Sequence, residues 1–381
     1  MANNSISSDF VSEVQTTLRG TLPAANNSSI DSGGVAFASF QKLLNEGTSG
    51  GQLFTNVIVS TYSLIRTSTT TQLFNGGVLA PNGDIHFVPF DANVGQKISA
   101  SGAVSTYSLV YTTTSAYTGG VLAANGDIHF VPQGAVRGQK ISVNGVVSTY
   151  SLVYTASFSY GGGILAPNGD IHFVPNSAVR GQKISAAGVV STYSLVYTIT
   201  NAYTGGVLAA NGDIHFVPAR GAVGQKISAS GIVSTYSLVY TTANSAYNGG
   251  VLAANGDIHF IPYQATVGQK ISASGVVSTY SLVYTTGGAY QGGVLASNGE
   301  IYFSPFNATV FQKISSVGIV STFSSPFTIG PTGSAYGGGI LAPNGDIYIG
   351  LSFSAVGCKI TVNSGVNFSK GVCMHPFFNK Y

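Results

Sequence analysis

Histidine, acid and lysine residues recur at fixed intervals along this 381-residue chain, and such side chains can bind metals or transfer protons. Histidine takes one repeated position five times and tyrosine takes it twice: His86, His129, His172, His215, His259, Tyr302 and Tyr348. These histidines could meet at a metal ion only if they lined a common axis. Because tyrosine replaces two of them, we predict packing between repeats, with hydrogen-bonded ring nitrogens, and no metal site.

Seven acids and seven lysines also occupy fixed positions: Asp84, Asp127, Asp170, Asp213, Asp257, Glu300 and Asp346, with Lys97, Lys140, Lys183, Lys226, Lys270, Lys313 and Lys359. An ion pair repeated in every unit explains this pattern better than seven active sites. The sequence shows no nucleophile–base pair, phosphate-binding loop or dinucleotide fingerprint. Since catalysis is normally carried by a few unique residues, we predict a protein that is not an enzyme and uses no metal or cofactor.

These residues sit in a repeated element whose clearest copy runs from Gly162 to Phe173. Its Asn-Gly-acid-Ile core starts seven times, in steps of 43 to 46 residues, at Asn82, Asn125, Asn168, Asn211, Asn255, Asn298 and Asn344. Asn-Gly favours the type I′ turn of a two-residue β-hairpin, so each copy is predicted to be a hairpin. A second pair of short β-like runs follows each hairpin, which gives four antiparallel strands per repeat.

Four strands in about 43 residues, repeated seven times, predict an all-β, seven-bladed β-propeller of four-stranded antiparallel blades. A flat solenoid is the alternative. Apolar residues on both faces of the fourth strand, including Val146 and Val153, favour the propeller because each blade is sandwiched between two others. We predict that residues 57–381 form the propeller and residues 1–56 a separate arm.

Two segments compete to complete the last blade. Val57–Leu64 is a full copy of the fourth strand and precedes the first hairpin, whereas Val366–Cys373 is a degenerate copy at the other end. The N-terminal copy matches the repeat better, so we predict that it closes the ring.

The arm has two stretches with helical periodicity. Their apolar stripes consist of Phe10, Val14 and Leu18, and of Phe37, Phe40 and Leu44. Two short amphipathic helices need a surface to cover, either on the propeller, on another copy of the chain, or on a partner. We predict an attachment arm; a plug or lid on the ring is the alternative.

Sequence variation between repeats falls in the loop after the hairpin, such as 90–93, and in the connection to the next repeat, such as 112–118. In an up-and-down blade both loops lie on the same side of the ring, here named the variable face, and the Asn-Gly and Ser-Gly turns lie on the opposite, constant face. Candidate binding residues on the variable face are Asp91, Arg137, Arg180, Arg220 and Tyr263. The arginines could form a basic arc for an anionic glycan or an acidic protein, or be solvated side chains.

An aromatic residue stands two positions before each Gly-Gly pair, next to the variable face. Tyr117, Tyr160 and Tyr203 are therefore further candidates for ligand binding. If exposed, these rings would stack on sugars; if buried, they would wedge between blades.

Composition excludes several classes of protein. Only 7% of residues are charged and the net charge is +3, too small to indicate nucleic-acid binding. No apolar run approaches the roughly 20 residues that span a membrane, and no secretory signal is visible. Cys358 and Cys373 are either free thiols or one disulfide.

The Tyr-x-Gly-Gly signature resembles kelch-type blades without their Trp, and the Gly-Gly-Val-Leu-Ala-Pro-Asn-Gly-Asp-Ile and Gly-Gln-Lys-Ile runs resemble propeller repeats of tailed phages, large DNA viruses and some bacteria. This resemblance implies a seven-bladed, non-enzymatic propeller. An arm ahead of a low-charge display module also looks like the build of virion proteins.

The functional prediction is therefore a virion structural or adhesion protein, such as a capsid decoration, head fibre or tail-associated subunit. It would be made in the host cytoplasm and attached to other virion proteins or to its own copies by the arm. A glycan or host surface protein would bind the variable face. The alternatives are a lectin-like propeller acting alone and a cytosolic interaction scaffold.

Overall fold

The structure is a computed structural model that describes residues 55–364 apart from 243 and 330–334. It contains 28 strands, which begin with β1, Thr55–Tyr62. Blades one to three comprise β2 Phe74–Leu79, β3 Ile85–Pro89, β4 Val94–Ile98, β5 Val104–Ser108, β6 Tyr117–Leu122, β7 Ile128–Pro132, β8 Arg137–Ile141, β9 Val147–Ser151, β10 Tyr160–Leu165, β11 Ile171–Pro175, β12 Arg180–Ile184 and β13 Val190–Ser194. Blades four to seven comprise β14 Tyr203–Leu208, β15 Ile214–Pro218, β16 Val223–Ile227, β17 Val233–Ser237, β18 Tyr247–Leu252, β19 Ile258–Pro262, β20 Val267–Ile271, β21 Val277–Ser281, β22 Tyr290–Leu295, β23 Ile301–Pro305, β24 Phe311–Ile314, β25 Val320–Phe323, β26 Ala335–Leu341, β27 Asp346–Phe353 and β28 Gly357–Ser364.

The strands form seven four-stranded antiparallel sheets, as the repeats predict. In blades one to six the strands of each sheet follow chain order from the first to the fourth. The first strands of successive blades lie side by side, and β26 of blade seven lies beside β2 of blade one, so the ring is closed around these inner strands. The seven-bladed propeller is confirmed.

The seventh sheet is completed by the N-terminal strand. Its order is β1-β28-β27-β26, which places β1 outermost. The prediction that the early copy of the fourth strand closes the ring is therefore confirmed; Val366–Cys373 lies outside the described residues. The apolar stripes of the predicted arm also lie outside them.

The hydrophobic core lies between blades, around the second strand of each. In blades one to six every residue of this strand is buried, as in the Ile-His-Phe-Val-Pro run of β11. A strand covered on both faces by neighbouring sheets must be apolar on both faces. The fourth strand behaves differently: Val146 and Val153, which flank β9, are 62% and 61% exposed. The expectation that these two valines are sandwiched was wrong, because the fourth strand is the outer edge of its blade.

The hairpin turns differ from the predicted type I′. Gly83 N–H donates to Ala80 C=O at 3.0 Å, and Gly83 has φ +85° while Asn82 does not have a positive φ. This is the pattern of a type I turn followed by a left-handed glycine, and Pro81 fits its first central position. The Asn82 side-chain oxygen accepts the Asp84 N–H at 3.0 Å, which explains the asparagine.

Among the described residues, no helix is present that could cross a membrane.

Candidate functional site

The two glycines of each inner strand bring neighbouring blades close together at the axis. A Cβ atom added to Gly162 would lie 3.2 Å from the Cα of Gly205 in the next blade, and one added to Gly163 would lie 2.7 Å from Val121 in the preceding blade. The second glycine of the pair is similarly crowded in every blade, with its nearest contacts at 2.5–3.1 Å, so a side chain there would force its neighbours to shift. The glycine pair therefore recurs because the ring closes tightly, and it leaves backbone amide groups facing the axis.

The residue before each glycine pair varies from blade to blade and stands at the variable-face end of its inner strand. Around the axis these positions hold Asn75, Thr118, Gly161, Thr204, Asn248, Gln291 and Gly337. All seven are uncharged, and five of them carry hydrogen-bonding side chains. They form a polar ring around the entrance to the axis.

A cavity of about 480 Å³ opens at this ring, and we name it the axial cavity. Every blade contributes to its wall, which consists of glycine backbone and uncharged polar side chains with a few aromatic residues. Within the part of the chain that the structure describes, no Asp, Glu, His, Lys or Arg lines it. Its volume lies within the range of small-molecule sites, about 300–1,000 Å³.

Hydrogen bonds run around the entrance from blade to blade. Asn75 Nδ2 donates to the carbonyl oxygen of Thr118 at 3.2 Å and lies 3.1 Å from its Oγ1. Thr204 Oγ1 donates to the Tyr247 carbonyl at 2.8 Å, and Asn176 Nδ2 to that of Tyr203 at 2.9 Å. Each of these hydrogen bonds joins one blade to the next, so the entrance is held in a fixed shape.

Three glutamines of the cavity wall each have a buried amide atom without a hydrogen-bond partner among the described residues. They are Gln72 through Nε2, and Gln133 and Gln291 through Oε1. A buried polar atom left without a partner is costly, by about 1–3 kcal/mol. These glutamines belong to a wall of amide, hydroxyl and backbone groups, which suits a ligand that both donates and accepts hydrogen bonds.

The candidate tyrosines do not reach the surface. Tyr117, Tyr160 and Tyr203 are 0–1% exposed, and each ring lies against a phenylalanine of its own blade at 5.4–5.6 Å between centroids. Tyr203 OH donates to the backbone oxygen of Val223 at 3.0 Å, and Tyr117 and Tyr160 reach the same position in their blades. Of the two alternatives for these candidate ligand-binding residues, stacking on a ligand is excluded because the rings are buried. They pack between blades instead, against Val88, Val131 and Val174 of the preceding blades.

The three candidate arginines are exposed but do not occupy equivalent positions. Arg137 and Arg180 begin the third strand of blades two and three, whereas Arg220 lies three positions earlier, in the loop of blade four. They lie on the variable face outside the axial cavity. Asp91 is turned towards the next blade, because its carboxylate accepts the Ser115 N–H at 2.6 Å. The predicted basic arc is thus two matched arginines with a displaced third, and Asp91 serves the joint between blades.

Tyr263, the remaining candidate, belongs to an aromatic group on the opposite side of the variable face. Its ring lies 6.0 Å from that of Phe306, which lies 6.2 Å from that of Phe353. These residues come from blades five, six and seven. Tyr263 is half-buried, and burial raises the pKa of its hydroxyl. The structure therefore places Tyr263 away from the arginines of blades two to four.

The repeated histidines are buried and uncharged at neutral pH. Burial lowers their pKa to about 4, and the nearby lysine lowers it further while the neighbouring aspartate opposes the shift. Each ring packs against a tyrosine of the fourth strand in its own blade, and in blades two, three and five the tyrosine OH lies 3.3–3.4 Å from Nδ1. In blades one and four Nδ1 lacks a partner among the described residues, so the predicted hydrogen bond holds in three blades. Within the described part of the chain, no group of three or more His, Cys, Asp or Glu could hold a metal ion.

The seven predicted ion pairs are all present, each within one blade. The lysine nitrogen lies 2.7–2.8 Å from the carboxylate in every pair. In blade one the other carboxylate oxygen of Asp84 accepts the Ala100 N–H at 3.2 Å. The pair thus ties the two turns of the constant face together and is structural.

The residues that form the axial cavity were largely missed from the sequence. Thr118 and Asn248 are the last residues of connections that vary between repeats. Asn75, Thr204 and Gln291 belong to no recognised motif. The available signal was the variable position inside an otherwise constant Tyr-x-Gly-Gly run. Only the ring geometry shows that this position faces the axis.

Comparison with known proteins identifies a fold but no family. No known family matches the chain, and no curated protein does. The resemblance to kelch-type and viral repeats therefore stays a prediction.

Solved structures share the propeller. A streptogramin B lyase structure is 19% identical with a TM-score of 0.70 and covers 82% of this chain and 100% of its own. Virginiamycin B lyase from Staphylococcus aureus is 17% identical with a TM-score of 0.70, covering 81% of this chain and 100% of its own. The WD40 propeller domain of Doa1 is 12% identical with a TM-score of 0.59, covering 80% and 97%. At these identities the likeness shows the fold alone.

This finding corrects the prediction that the chain is not an enzyme. That prediction was wrong, because the fold is shared with proteins named as lyases. The propeller fold is therefore compatible with catalysis. The lyase reaction itself is not carried over to this chain.

Proposed function

We propose that this protein is a recognition module that binds an uncharged polar ligand in the axial cavity, at the centre of the variable face. The observation that carries the proposal is the cavity wall. It combines a volume of about 480 Å³ with amide, hydroxyl and glycine backbone groups, and among the described residues no Asp, Glu, His, Lys or Arg lines it.

The chemistry of the wall favours one class of ligand. An apolar ligand would leave the amide, hydroxyl and backbone groups that line the cavity without partners, at a cost of about 1–3 kcal/mol each. A charged ligand would enter a site without a counter-charge. An uncharged molecule with several hydroxyl or amide groups satisfies the wall in both respects, and the rigid ring of blades holds the wall ready for it.

The test is binding of the full chain to a printed array of neutral oligosaccharides. Asn248→Phe should abolish binding, because the new ring fills the cavity and the substitution removes no hydrogen bond seen among the described residues. The matched control is Ala187→Phe, which introduces the same side chain at an exposed turn of the constant face. Equal binding by the two variants would contradict the proposal, and masses of the recovered oligosaccharides would reveal any turnover.

The arginines provide a second discrimination. Under this proposal the double variant Arg137→Glu, Arg180→Glu binds as the wild type does, and 0.5 M NaCl changes little, since screened charges contribute little to a neutral ligand. Loss of binding in that variant would favour an anionic glycan or an acidic protein on the outer variable face instead.

For the place where the module acts, we propose display on a virus particle or similar assembly. Two features support this: the two amphipathic stripes of the arm, and a propeller, Asn56–Asn363, that is a compact unit by itself. The full chain should assemble in size-exclusion chromatography with light scattering, whereas a chain starting at Gln52 should be monomeric and still bind oligosaccharide. Monomeric behaviour of both would count against the assembly role and leave the binding role intact.

A further inference from the structure

Phe158 is an exception among the residues that border the axial cavity. It belongs to the connection into blade three, two residues before the inner-strand tyrosine. The same position in the other described blades is polar or glycine: Gln72, Ser115, Asn201, Ser245 and Gly288. Phe158 is 51% exposed, so its ring is not a core residue.

The backbone of Phe158 is in the left-handed region, with φ +57°. Ser115, Asn201 and Gly288 share this conformation at φ +50°, +58° and +69°. Glycine and asparagine adopt it readily, whereas a bulky aromatic residue is a strong outlier there. Phe158 combines this strained backbone with a side chain that is only about half buried, and such outliers concentrate at ligand sites.

Both neighbouring loops hold Phe158 in place. Its N–H donates to the carbonyl of Gln133 at 2.8 Å, and its carbonyl accepts the Ser177 N–H at 3.2 Å. In blades two, four, five and six the corresponding N–H bond to the preceding blade comes from the following alanine, as with Ala202 to Asn176 at 2.8 Å. The hydrogen bond to the preceding blade is therefore donated one residue earlier, at Phe158. The backbone of Phe158 is fixed by hydrogen bonds on both sides, which fixes the position of its ring.

The surroundings of Phe158 are amides. It lines the axial cavity together with Gln133, Asn176 and Asn201, and Gln133 Oε1 is one of the buried atoms without a partner among the described residues. The site thus offers one exposed aromatic face beside several neutral donors and acceptors. A matching ligand has a flat apolar face of C–H groups and a rim of hydroxyl groups.

We propose that the ligand is a neutral carbohydrate, and that one sugar ring stacks on Phe158 while its hydroxyls are bound by Gln133 and the neighbouring amides. The positive edge of polarised C–H groups meets the negative face of the aromatic ring in such a stack. This assignment rests on the proposed function of the axial cavity and names its ligand class and its anchoring residue.

The experiment compares full-length variants on the neutral oligosaccharide array, with dissociation constants measured for the printed oligosaccharide that gives the strongest wild-type signal. Phe158→Asn introduces the residue of blade four, which fits the left-handed backbone, and should weaken binding roughly ten-fold or more, the order of an aromatic contact. Phe158→Tyr keeps the ring and should bind as the wild type does. Val179→Asn is the control, because it removes an exposed apolar side chain from the same blade outside the cavity.

Thermal melting separates binding from folding. Phe158→Asn should melt at the same temperature as the wild type or higher, since the substitution relieves backbone strain. If Phe158→Asn and Val179→Asn bind equally well while Asn248→Phe does not bind, stacking on Phe158 is refuted and the cavity function stands. If the wild type binds no printed neutral oligosaccharide, both proposals fail.

Discussion

At the scale of single residues, burial decides what the repeated titratable groups can do. His172 lies on a strand covered by both neighbouring blades, and burial lowers its pKa to about 4. Burial raises the pKa of Asp170, but the hydrogen bond and charge of Lys183 and the Ala186 N–H lower it more, so the net shift is downwards. Both groups prefer, in the folded state, the form with fewer protons.

This preference predicts acid destabilisation. The unfolded chain binds protons at its histidines below the ordinary pKa of 6.5, whereas the folded chain does not until about pH 4. Stability is therefore fully present above pH 6.5 and falls progressively towards pH 4, as the histidines of the unfolded chain gain protons that the folded chain does not bind. The depressed aspartates add a further loss below their ordinary pKa of 3.8.

Urea unfolding at several pH values checks this prediction with one substitution. His172→Tyr, which copies the tyrosine of blade seven, should reduce the slope of unfolding free energy against pH between 6.5 and 4 by about one fifth, since one of five such histidines is removed. At pH 7.5 the histidines are neutral in both states, so no proton-linked difference is expected. An unchanged slope would show that the histidine is already accessible to protons.

In blades one to six a buried glutamine joins the blade to the preceding one. Gln182 is fully buried, and its Oε1 accepts the N–H groups of Val153 and Tyr154 at 2.9 and 2.8 Å. Blade seven carries Cys358 at this position, a buried free thiol whose pKa burial raises to about 12. In blade six, Pro326 occupies the position whose N–H donates to the glutamine in the other blades, and proline has no N–H to donate. A glutamine in place of Cys358 would therefore accept one hydrogen bond fewer.

Gln182→Leu should therefore destabilise the fold by about 2–4 kcal/mol, because two buried N–H groups lose their acceptor. Cys358→Ala is the control and should cost about 1 kcal/mol, since it removes only apolar contact. Thermal or urea denaturation measures both. Similar losses in the two variants would mean that the glutamine acts by packing alone.

At the scale of elements, the sequence predicted what each strand repeats but not how it faces its neighbours. The four strands per blade, the ion pairs and the closing strand β1 follow from copies that are visible in the sequence. The turn type was missed because Asn-Gly also fits a type I turn followed by a left-handed glycine, and this turn forms both with Pro81 and with Ala124 at its first central position. The exposure of Val146 and the burial of Tyr117 could not be read from the sequence, because exposure depends on how far from the axis a strand lies. Val146 precedes an outer strand, whereas Tyr117 begins an inner one.

Closure by β1 gives a prediction at this scale. Removing β1 uncovers the cluster of Ile349, Cys358 and Ile360, against which Val57 and Val59 pack. Both valines are partly buried, so each contributes a part of the roughly 1.5–3 kcal/mol of a fully buried valine. A chain starting at Ser63 should therefore melt at a much lower temperature than a chain starting at Gln52, followed by circular dichroism. Equal melting temperatures would show that another segment completes blade seven.

At the scale of the whole molecule, near-identical blades build an asymmetric variable face. Blades five to seven contribute the aromatic contacts from Tyr263 to Phe353, whereas blades two to four contribute Arg137, Arg180 and Arg220. The variable face itself was predicted from alternating loops. The axial cavity was not, because it arises only when seven glycine-lined strands close a ring and leave small uncharged residues at its entrance.

The central claim is that a ligand binds on the axis at the variable face. The most direct test is a crystal structure of the full chain soaked with the neutral oligosaccharide that binds it best. The account predicts density for one ligand per ring in the axial cavity, with a sugar ring against Phe158 and hydroxyls near Gln133 and Gln291. Density repeated between blades on the constant face, with the axial cavity empty, would contradict it.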